Sequence, residues 1–149
     1  MKNKILLVAS PGGHFVQLSL LSEKLDCCDR VIAGTYDNQP GFMAGERYYQ
    51  ISDFSRDTAY LAVKVVFQCW QILRKERPSL VVTTGAAPGL VMALLSKMSG
   101  IKTVWVDSIA NSKKLSLSGR LAAQCRIHVI SQWREVAESH QVTYQGRVI

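Results

Sequence analysis

Two glycines precede a histidine in the run Ser10-Pro11-Gly12-Gly13-His14, which follows directly on the apolar stretch Ile5-Leu6-Leu7-Val8-Ala9. Glycines let backbone N–H groups approach an anion closely, and a helix beginning there adds partial positive charge from its unsatisfied amides. A histidine at the mouth of such a turn is placed to accept a proton or to contact a phosphate. The sharper expectation is a phosphorylated ligand near His14. The plainer one is that Gly12 and Gly13 only turn the chain and His14 caps or packs the first helical turn, because the spacing matches neither G-x-G-x-x-G nor the Walker pattern.

Two further runs carry similar chemistry. Thr83-Thr84-Gly85-Ala86-Ala87-Pro88-Gly89 follows another strand-like stretch; Pro88 suits a first helical position and Gly85 frees the backbone to turn. Small residues at this point also serve close helix-on-sheet packing. The third run, Asp107-Ser108-Ile109-Ala110-Asn111-Ser112, follows Thr103–Val106. A strand's carboxyl end is where α/β enzymes place acids, bases and hydroxyl-binding carboxylates, although Asp107 would equally cap a turn.

Several chemistries are disfavoured by what the chain lacks. It has no G-x-S-x-G elbow and no dinucleotide fingerprint followed by an acid at the right distance. Cys27, Cys28, Cys69 and Cys125 form no C-x-x-C pair and do not cluster with the histidines, so no metal site is expected and reduced thiols fit a cytoplasmic protein. No cofactor is expected, and a self-contained dehydrogenase, hydrolase or NTPase is disfavoured.

The elements that must position these runs are legible in the apolar periodicity. Strand-length runs recur at Ile5–Ala9, Arg30–Ala33, Tyr48–Ile51, Leu80–Thr84, Thr103–Val106 and Ile127–Ile130. Most are continuous, the pattern of strands buried on both faces. Helical stretches fall between them at Phe15–Leu25, Ser55–Arg77, Gly89–Ser99, Leu115–Gln124 and Arg134–Ser139. This order predicts one α/β domain over residues 1–149, a Rossmann-like, mostly parallel sheet with helices on both faces and ligands at its carboxyl edge.

The longest helical stretch places Leu61, Val65, Gln68-Cys69 and Ile72 at core spacing, while Tyr60, Val63, Phe67 and Trp70 fill much of its remaining circumference. A helix apolar over so wide an arc is either a plain core helix or one buried on two sides, against the sheet and against a membrane or partner. Lysine and arginine outnumber aspartate and glutamate by 18 to 11, a formal charge of +7 that favours an anionic partner. The basic residues are scattered and match no nucleic-acid-binding module, so nucleic acid is not expected. The short apolar stretch before Ser10 is neither a signal region nor a span.

Five segments together resemble one family: Ser10-Pro11-Gly12-Gly13-His14, Thr84-Gly85-Ala86-Ala87-Pro88-Gly89, Val106-Asp107-Ser108-Ile109-Ala110, Leu115-Ser116-Leu117-Ser118-Gly119-Arg120-Leu121 and Val129-Ile130-Ser131-Gln132-Trp133. It is the Alg-fourteen-like oligosaccharide-biosynthesis family, whose bacterial members include PssD-type subunits of exopolysaccharide and capsule glycosyltransferases. The match extends to Tyr144-Gln145-Gly146. The resemblance implies the N-terminal half of a split GT-B glycosyltransferase, with a separate donor-binding subunit supplying the other half and most of the UDP-sugar site.

The glycine-histidine turn is also similar to that of the single-chain lipid-linked GlcNAc transferase of peptidoglycan synthesis. By that likeness, Gly12, Gly13 and His14 face the diphosphate of a polyprenyl-linked acceptor, and His14 is expected to be the general base; with the strand-end turns read above, Ser10, Gly85, Pro88, Gly89, Ser108 and Asn111 are expected to join the phosphate site and Asp107 to be catalytic. Ser116, Ser118, Gly119, Gln132 and Trp133 are expected at the partner interface. Two departures bear on this. The chain opens on its first strand where eukaryotic members carry a membrane anchor, so peripheral attachment to the inner face of the cell membrane is expected. It also has Cys125-Arg126-Ile127-His128 where the family usually has an acidic residue. Two other readings remain open: a non-catalytic scaffold recruiting the donor subunit to the membrane, and a stand-alone nucleotide-binding enzyme.

Overall fold

In the first strand, Leu6 and Val8 join one apolar cluster while Ile5 and Leu7 join another, and all four are buried. Successive side chains of a strand point to opposite faces, so a strand apolar at every position belongs in the middle of a covered sheet. The computed structural model describes residues 3–9, 29–35, 47–54, 56–108 and 111–144. It contains strands β1 (Lys4–Ala9), β2 (Asp29–Gly34), β3 (Arg47–Gln50), β4 (Leu80–Thr83), β5 (Lys102–Val106), β6 (His128–Ser131) and β7 (Thr143–Tyr144). They form one seven-stranded sheet in the order β3-β2-β1-β4-β5-β6-β7. Every neighbouring pair is parallel, as the continuous apolar runs predict.

The described helices are α1 (Ala62–Glu76), α2 (Ala86–Met98), α3 (Leu117–Gln124) and α4 (Arg134–His140). Val65, Cys69 and Ile72 of α1 and Met92 of α2 pack on Leu6, Val8, Val31 and Val81. Farther along the same sheet face, Ala93 of α2, Ala122 of α3 and Val136 of α4 pack around Trp105 and Val129. The register confirms one face, since Val8 pairs with Thr83, Thr83 with Trp105 and Trp105 with Val129. The helix expected at Phe15–Leu25 lies outside the described residues.

Several boundaries shift from expectation, three of them for clear local reasons, and one short strand was not expected. Residues Arg56–Leu61 form a 3-10 segment in place of the first turns of the long helix, with Thr58 at a non-helical φ of −119°. Helix α2 begins at Ala86, earlier than Gly89, so Pro88 is its third residue; its missing N–H still falls among the amides that have no intrahelical partner. Ile127 stays buried but outside β6, because Arg126 before it turns the chain at φ 62°. Strand β7 is too short to give a period.

Exposure divides α1 sharply. Its apolar positions facing away from the sheet lie open, with Val63 76%, Phe67 57% and Trp70 46% exposed, continuing Tyr60 at 75%. Phe67 stacks near Trp70, and the Arg74 guanidinium lies 5.2 Å from the Trp70 ring. At the amino edge of the sheet, buried Glu76 accepts from Lys4 Nζ at 3.1 Å and from the Tyr49 hydroxyl, with Arg47 at 3.4 Å. Arg47 also reaches Asp29 at 3.0 Å, so one carboxylate network fastens the starts of β1, β2 and β3 to the end of α1.

Candidate functional site

Strand order places β1 between β2 and β4, and the chain passes from one to the other side of β1 as it builds the sheet. A crevice opens at such a reversal, above the carboxyl ends of the two central strands, and α/β proteins bind ligands there. Ser10, Gly12, Gly13 and His14 follow β1 in sequence but lie outside the described residues.

The second turn is described. Thr84 N–H donates to the Val8 carbonyl at 3.1 Å, holding the end of β4 against the end of β1. Gly85 then turns into α2 at φ 134°, a conformation that disfavours any side chain, and as the N-cap residue it has no side chain to cap the helix. The first turn of α2 thus begins next to the carboxyl end of β4. Gly89 and Pro88, expected near the phosphate, are buried. A Cβ on Gly89 would clash with Thr83 Oγ1, so this glycine lets the first turn of α2 lie on β4.

The third run builds a hub. Asp107 leaves β5 with its N–H bonded to the Ile130 carbonyl at 2.8 Å, and it is 2% exposed. Its Oδ1 accepts from Ser116 Oγ at 2.6 Å and from the indole Nε1–H of Trp105 at 3.1 Å. Its Oδ2 accepts from Ser116 N–H and Asn111 Nδ2, each at 3.1 Å. Gln132 Nε2 donates to the Asp107 carbonyl at 2.9 Å. Ser116 in turn caps α3 by accepting from Gly119 N–H at 2.9 Å.

Four donors on one buried carboxylate direct its lone pairs into the protein, which suits a positioning residue better than a proton acceptor for substrate. The five residues expected at a partner interface divide accordingly. Gly119 and Gln132 are buried and turned inward onto the hub, and Ser116 is wired to Asp107. Ser118 is half-buried, and Trp133 packs partly buried against the cluster around Trp105. Ser108, half-buried, has its carbonyl bonded by Asn111 N–H at 3.1 Å.

Sequence reading missed Trp105. Its signal was present: Trp105 and Asp107 are two apart at a strand end, hence on one side of the sheet. It also missed the Glu76 network, whose partners come from three distant strands. Burial pushes the Glu76 carboxyl up, but hydrogen bonds from Tyr49 and Lys4 and the charges of Arg47 and Lys4 prevail and hold it below the usual range. Burial, then the hydrogen bond and charge of Glu76, push the Tyr49 phenol up against the pull of Arg47. Among the described residues no group of three histidine, cysteine or acidic side chains is placed to hold a metal, and no helix is long and apolar enough to cross a membrane.

Residues 46–148 match the family model described as "Oligosaccharide biosynthesis protein Alg14 like". The human UDP-N-acetylglucosamine transferase subunit ALG14 is 27% identical, over 97% of this chain and 82% of that protein. Among solved structures, Acinetobacter baumannii MurG superposes with a TM-score of 0.73 at 13% identity, over 90% of this chain and 43% of MurG. UDP-N-acetylglucosamine 2-epimerase from Rickettsia bellii gives 0.70 at 14% identity, over 99% of this chain and 46% of the enzyme. The chain thus spans less than half of each of these two structures, and the likeness extends to the fold of that half, a GT-B glycosyltransferase-like one.

Proposed function

The chain belongs to the Alg14-like family of oligosaccharide biosynthesis proteins, and from that premise we propose that it is the acceptor-side subunit of a two-component glycosyltransferase. A partner subunit binds the UDP-sugar and completes the cleft, and the acceptor is a saccharide on a polyprenyl diphosphate at the inner face of the cell membrane, as in exopolysaccharide, capsule or lipid-linked oligosaccharide synthesis. The observation that supports this reading is the joining of the ends of β1 and β4, where Thr84 N–H bonds to the Val8 carbonyl and α2 begins after Gly85, with Gly12, Gly13 and His14 next after β1 in the sequence.

In this mechanism the amides of the Gly12-Gly13 turn and of the first turn of α2 hold the acceptor diphosphate. His14 contacts the same diphosphate or takes the proton from the attacking sugar hydroxyl. The hydroxyl oxygen bonds to the sugar's anomeric carbon as the bond to UDP breaks, and UDP leaves with the electron pair. Asp107 acts as a positioning residue, fixing the start of α3 and the loop at Asn111 beside the cleft. The apolar face Tyr60-Val63-Phe67-Trp70 lies on the membrane, with Arg74 at its border.

The test is reconstitution with the donor-binding subunit, a UDP-sugar and a lipid-linked acceptor. His14→Ala is expected to lower transfer by about 10² or more, the usual scale for an acid–base group. Unchanged transfer in His14→Ala, with loss of transfer in a Phe67/Trp70 variant, supports the non-catalytic scaffold, the reading that the open face of α1 favours.

A further inference from the structure

At the amino edge of the sheet, opposite the crevice, a cavity of about 400 Å³ lies between the α2–β5 loop and the α3–β6 turn. Such a volume is in the range of small-ligand pockets, roughly 300 to 1,000 Å³. Its wall carries Lys97, Lys102, Arg126 and His128, all exposed, and among the described residues no acidic side chain lines it. Lys97 Nζ donates to the Arg126 carbonyl at 2.8 Å, which ties the two turns together; among the described residues none of these four is paired with a carboxylate.

Backbone conformation sharpens the point. The residue that ends each turn is left-handed, Gly100 at φ 76° and Arg126 at φ 62°. Glycine is the unstrained choice at such a position, and a cationic side chain stands there instead at Arg126. A Cβ on Gly100 would meet nothing within 4 Å, so the cavity is open on that side.

The surroundings indicate the source of an anion. Met98, next to Lys97, is 83% exposed. Ile101 is shared between this cavity and a neighbouring groove formed by Trp70, Arg74 and Arg77 at the end of α1. Cations beside exposed methionine and tryptophan make a surface for a phosphate that arrives attached to an apolar chain.

We propose that this cavity is a phosphate-binding site, separate from the crevice at the carboxyl edge, and that Lys102, Arg126 and His128 hold the headgroup phosphate of an anionic lipid. The site is independent of sugar transfer; it rests on the membrane reading of α1 only for the source of the phosphate.

The full chain is to be tested by sedimentation with vesicles of phosphatidylcholine alone and of phosphatidylcholine containing phosphatidylglycerol, and by amide NMR during titration with inorganic phosphate and glycerol phosphate. Lys102→Gln/Arg126→Gln is expected to remove most of the gain from phosphatidylglycerol, about tenfold or more for two cations. Lys113→Gln/Lys114→Gln, with the same charge change elsewhere, is expected to leave most of it. A Phe67→Ser/Trp70→Ser variant that loses binding to both vesicle types tests the membrane reading separately. Saturable amide shifts at residues 97–103 and 126–128 in wild type support the site whether or not the variants fold, and shifts with the soluble phosphates but no vesicle gain assign it to a free phosphate compound. Equal losses in the two double variants, or no shifts and no vesicle gain in wild type, overturn it.

Discussion

Ser116 Oγ donates to Asp107 Oδ1 at 2.6 Å, joining the cap of α3 to the residue that leaves β5. The same serine also offers its N–H to the other carboxylate oxygen, at 3.1 Å. The carboxylate thereby sets where the helix starts as well as where the strand ends. Asp107→Ala leaves the Ser116, Trp105 and Asn111 donors without this acceptor, several of them away from water. At about 1–3 kcal/mol for each buried donor left unpaired, a total loss of at least about 3 kcal/mol is expected in urea unfolding. Asp107→Asn keeps the shape, so it should lose less, and a larger loss than for alanine would contradict the hub.

Gly119 tests the same contacts by crowding them. A Cβ there would lie 2.7 Å from Asp107 Oδ1, 3.0 Å from Ser116 Oγ and 3.2 Å from Trp105 Nε1. Alanine normally gains about 1 kcal/mol over glycine inside a helix. Here the overpacking should reverse the sign, and Gly119→Ala is expected to destabilise by roughly 1–2 kcal/mol. A stabilised variant would mean that the hub is looser than its distances.

The Glu76 network predicts acid sensitivity. Its folded carboxyl titrates below the ordinary 4.5, so the unfolded chain takes up the proton first as the pH falls. Its contribution to stability is therefore fully present above about pH 4.5 and is lost as the pH drops through the lower folded value. Tyr49 acts at the other end: its phenol is raised above 10.0, so its contribution fades as the pH rises beyond that value. Glu76→Gln should flatten the acid limb of a stability–pH curve; an unchanged slope would show that the network does not bind the charge more tightly than water does.

Burial pushes the Cys69 thiol up to about 12, while Cys125 is exposed. At pH 8 the thiolate fraction at Cys69 is then on the order of 10⁻⁴. Peptide mapping after iodoacetamide should find Cys125 modified in the native protein and Cys69 modified only once urea passes the unfolding midpoint. Early modification of Cys69 would mean that α1 opens locally from the sheet.

The parallel sheet and the order of its elements were legible because they are written in local patterns. Ile5 to Val8, apolar at every position, can only be a strand covered on both sides, and Val65, Cys69 and Ile72 recur at the period of one helix face. The outward face of α1 was equally visible as a surplus of apolar positions, though whether it was covered was not. The turn at Gly85 was legible as a helix start, while the inward packing of Gly89 on Thr83 was not, because glycine spacing is the same for both uses.

The sequence by itself determined six of the seven strands and the four described helices to within a few residues, except at the start of α1, and that the loops at Thr84 and Asp107 leave the same edge of the sheet, because backbone period and parallel connection are properties of the chain order. Only the tertiary structure decided what those residues touch. Asp107 meets Ser116 across nine residues and Gln132 across 25. Strand pairing brought these groups within hydrogen-bonding distance, and once they were buried, each donor had to find an acceptor inside the protein.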